Sequence, residues 1–81
     1  MNLTYKIETL RVYEGFCYSV CLALLAEEEP AAGAAQHTLL ELYSDQSFWS
    51  GDEQARQSLA YRTAARLCIV LRQHECRQKL A

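Results

Sequence analysis

One proline and three glycines in 81 residues leave this chain with few turns to make, which excludes a loop-rich, collagen-like or disordered polypeptide. No stretch alternates apolar and polar residues over strand length, so a sheet is not expected. There is no glycine-rich phosphate loop, which removes the commonest nucleotide-binding device. Neither an internal repeat nor a low-complexity tract is present. The longest uncharged, largely apolar run is the eleven residues Phe16 to Ala26, too short to cross a bilayer. Glu8 and Glu14 lie where a secretion signal would carry bases. A cytoplasmic protein with no membrane association is therefore expected.

Half of the residues, 51%, are hydrophobic, enough to build one small core. The net charge of −2 is unevenly spread. Residues 1–51 set Lys6 and Arg11 against seven acids, whereas residues 52–81 set six basic side chains against Asp52, Glu53 and Glu75. An acidic half that attracts a basic helix, within the chain or between two copies, is the simplest use of that asymmetry.

Helical periodicity is the dominant pattern. Leu3, Ile7, Leu10, Tyr13, Cys17, Cys21 and Leu24 recur at steps of three and four, which predicts a first helix over 3–28 with that face inward. Glu27-Glu28-Glu29-Pro30 then makes a tight elbow, with Glu29 extended and Pro30 at the first position of a second helix over 30–44. In that helix Ala32, Ala35, Leu39 and Leu42 share a face. Ser44 to Ser47 has turn composition. Ser50-Gly51-Asp52-Glu53 has the S-x-x-E form of a capping box and predicts a long third helix over 51–79. Its apolar sector, centred on Ala60, Ala64, Leu67 and Leu71, spans roughly 200°, twice the ~100° that covers one neighbour. The expectation is a single all-α domain, a small antiparallel three-helix bundle with long first and third helices and a shorter middle one.

Four features point beyond folding. Tyr5, Val12, Phe16 and Ala23 form a second apolar stripe on the first helix, nearly opposite Leu3 and Cys21, where a helix with one layer of neighbours is normally polar. The shorter middle helix should also leave an apolar overhang on its neighbours. Phe48 and Trp49 just before the third helix read either as the end plug of the bundle or as a protruding aromatic anchor. Arg62 and Arg66 have no acid three or four residues away, unlike Arg56, which follows Asp52 by four, and Arg72, which precedes Glu75 by three. They make a solvated basic face or await an acidic surface.

Catalytic chemistry is harder to find. Cys17 and Cys21 are one turn apart but fit the core stripe as small hydrophobes. Cys68, His74 and Cys76 point in different directions on their helix, so neither a metal site nor a Cys-His nucleophile is assembled by spacing. The chain is read as a non-enzyme without metal or cofactor. Its expected function is a non-catalytic protein–protein interaction module that occupies a partner protein's surface, as an inhibitor, regulatory adaptor or secretion chaperone does. Tyr5, Val12, Phe16, Phe48 and Trp49 are the expected affinity contacts, with Arg62 and Arg66 for orientation, and self-association as a homodimer is expected. The alternative is a nucleic-acid-binding helical protein using the arginine face of the third helix; an overall acidic chain is a poor candidate for it.

Overall fold

Asn2 sits extended ahead of the first apolar repeat, and its side chain accepts from the Tyr5 amide at 2.8 Å, which starts a helix by satisfying one of its unbonded donors. In a computed structural model, which describes the backbone of residues 2–80 and the side chains of residues 2–73, that helix is α1 (Leu3–Leu25). It is followed by α2 (Glu28–Ser44), the single short turn α3 (Gln46–Ser50) and the long α4 (Glu53–Leu80). The protein is all-α, with long first and last helices and no strand among the described residues. The three long helices each pack against the other two, in a body of 46 × 20 × 19 Å.

The elbow after α1 differs from expectation. α1 stops at Leu25, not Glu28, because Ala26 turns left-handed at φ 61° and its amide bonds the Leu22 carbonyl at 2.8 Å. Glu27, not Glu29, is the extended residue, and Pro30 occupies the third position of α2. The dipole explains the shift: Glu28 and Glu29 are unfavourable at the end of α1 and favourable in the first turn of α2. Pro30 still loses nothing there, since first-turn amides have no partner within the helix.

The start of α4 is also corrected. The turn before it is itself helical: Asp45 caps α3 by accepting from the Ser47 amide at 2.8 Å. Ser50 therefore belongs to α3 and donates to the Ser47 carbonyl, so no capping box forms. Asp52 takes over, accepting from the Ala55 amide at 2.8 Å. The expected Asp52–Arg56 pair gives way to that cap. The expected pairs of Glu75 with Arg72 and Lys79 lie outside the described residues.

Small side chains fill most of the interior. α2 turns Ala31, Ala34, Ala35 and Thr38 inward, with Leu42, so Ala32 is exposed rather than buried. α4 contributes Ala60, Thr63, Ala64 and Cys68, and α1 contributes Cys17 and Cys21. Thr38 satisfies its buried hydroxyl by donating to the Ala34 carbonyl at 2.8 Å. Bulky side chains enter the core at one end only, where Tyr13 meets Phe48 edge-on at 5.4 Å and Phe48 meets Trp49 edge-on at 4.9 Å.

Replacing Asp52 by Ala should cost about 1 kcal/mol of stability, whereas Ser50→Ala should cost a few tenths at most. Urea unfolding followed by circular dichroism checks both, and equal effects would restore the capping box.

Candidate interaction surface

Arg56 organises the end of the molecule that carries the aromatic plug. It lies one turn into α4, and its Nε donates to the Phe48 carbonyl at 3.0 Å while Nη2 donates to the Trp49 carbonyl at 3.0 Å. Its guanidinium carbon stands 5.5 and 5.7 Å from the same two ring centroids. The Trp49 indole donates to the Tyr43 carbonyl at 2.9 Å, and the Lys6 ammonium sits 5.0 Å from the Tyr43 ring and 5.3 Å from that of Trp49. Phe48 is wholly buried and Trp49 nearly so. The two aromatics are thus the end plug. They are not open to a partner, because one short helical turn and Arg56 hold them under the long helices.

Tyr5 touches this arrangement from outside. Arg56 Nη1 donates to its hydroxyl at 3.4 Å, and that contact holds the Tyr5 phenol below its ordinary value. The contact also gives the register. Tyr5 of α1 stands level with Arg56 of α4, and further along, Cys21 lies close enough to Cys68 for that thiol to raise the pKa of its own. Val12 and Phe16 follow Tyr5 by seven and by eleven, on the same flank of α1. Tyr61 precedes Cys68 by seven, so it lies on the flank of α4 that faces α1. By that register Val12 is level with Tyr61. The four side chains form one apolar strip along the α1–α4 seam, Val12 being 76% and Tyr61 51% exposed, with Tyr5 and Phe16 about two-fifths exposed.

The arginine face divides. Arg66 forms an ion pair with Glu41 of α2, the acid that the sequence around it does not supply. Both side chains are about half exposed, which keeps the contribution below about 1 kcal/mol. Arg62 is exposed and has no ion pair among the described residues.

A second apolar surface was not legible as such. Leu3, Ile7 and Leu10 were expected in the core, yet Leu3 is 60% exposed, Ile7 nearly half exposed and Leu10 half-buried. Leu10 looks onto a groove between α1 and α2 that Leu39, Leu40 and Tyr43 line from the other side. Leu40, 66% exposed, carried no sequence signal because it falls outside the expected inner face of its helix.

The thiols are shielded. Cys17, Cys21 and Cys68 are free and buried. Burial pushes the Cys17 thiol up to about 11. For Cys21, burial first and then the neighbouring Cys68 and Cys17 push it up to about 12, against a small opposing bond from Thr38. Such thiols stay protonated near neutral pH and are poor nucleophiles. Among the described residues no group of three or more His, Cys, Asp or Glu is arranged to hold a metal ion, and no helix is long and apolar enough to cross a membrane. The side chains of His74 and Cys76 lie outside the described residues.

No protein-family model, curated protein or solved structure matches this chain.

In a Cys76→Ser background, a thiol reagent at neutral pH should label none of the remaining cysteines until the protein unfolds, and three after denaturation. The native state holds the Cys17 and Cys21 protons above the ordinary value of 9.0, so the stability it gains is complete below pH 9 and is lost as pH rises through 11 to 12. A urea midpoint flat up to pH 9 and falling above it is the expected profile.

Proposed function

We propose that the protein is a non-catalytic interaction module that binds another protein through the strip of Tyr5, Val12, Phe16 and Tyr61. What carries this reading is the exposure of Val12 and its neighbours along a seam between two helices, where a side chain with no partner would ordinarily be polar. Aromatic side chains with an aliphatic one between them are the composition of an interface anchor. Arg62, next to Tyr61 in sequence, is an exposed cation with no ion pair among the described residues, placed to orient the partner. Arg66 is engaged by Glu41 and drops out of that role.

The helices are read as an antiparallel three-helix bundle, α1 and α4 running the same way with α2 reversed between them. The level pairs Tyr5 with Arg56 and Cys21 with Cys68 support this, as does the tight elbow between α1 and α2. Three buried thiols without a disulfide suit a reducing, cytoplasmic setting. The nucleic-acid alternative has less behind it: of Arg62 and Arg66, the arginines on which it rests among the described residues, Arg66 is engaged by Glu41.

Affinity capture from the native host, with wild type and Val12→Asp as parallel baits, tests the reading. Val12 is exposed enough for the variant to keep its helicity, and a charge at the centre of an anchor should weaken binding by about 30-fold or more. Capture of the same protein by both baits to the same extent would sink the strip as the binding site.

A further inference from the structure

We draw no further inference here: the strongest candidate, the apolar groove between α1 and α2 walled by Leu10, Leu39, Leu40 and Tyr43, carries nothing, because nothing in the structure shows what covers it.

Discussion

Close approach of the three long helices is the constraint from which the rest of the structure follows. Where they meet, the interior is alanine, cysteine and threonine: Ala31, Ala34, Ala35 and Thr38 from α2, Ala60, Thr63 and Ala64 from α4, Cys17 and Cys21 from α1. Small side chains let helix axes come near and leave little volume between them. Apart from Leu42, which is wholly buried, leucine, isoleucine and valine among the described residues then have at most the edge of the core to pack against. Leu3, Ile7, Val12, Leu40 and Ile69 are outside because the core is narrow, not because the chain is short of apolar residues. A domain of this size buries a modest fraction of its surface in any case. Here the residues chosen for the seams narrow that fraction further.

The narrow core has to be closed at the end where α2 stops and the chain turns back, and large rings do it. Phe48 and Trp49 come from a single turn that would be marginal alone. Its carbonyls are exposed at its end, and Arg56 bonds two of them while lying against the rings they belong to. One cation thereby serves as helix cap and as aromatic neighbour. It also reaches Tyr5, so the plug and the first residue of the apolar strip are joined. Further along the core Cys17 and Cys21 fill space, and burial keeps both thiols protonated near neutral pH.

Two apolar surfaces lie on opposite flanks of α1. The strip along α4 is the more exposed, with Val12 and Tyr61 more than half open, whereas the groove along α2 has Arg11 and Glu14 in its walls beside its apolar side chains.

How far the sequence reaches depends on which interactions are local. Spacing and composition determined the all-α class, the three long helices and the apolar stripe through Tyr5, Val12 and Phe16, because each rests on contacts within four residues. The ends of the helices were misjudged at Ala26 and Ser50, where neighbouring elements compete for the same residues. Glu28 and Glu29 suit the start of one helix better than the end of another, and Ser50 had already been taken by α3. Only the tertiary structure decided that Phe48 and Trp49 are inside, that Arg66 has Glu41 and that Leu3 and Ile7 are wet. Those outcomes turn on which helix lies beside which, and on how closely small residues let them come. A periodicity marks which faces of a helix are apolar, but the neighbouring helices determine which of those faces are covered.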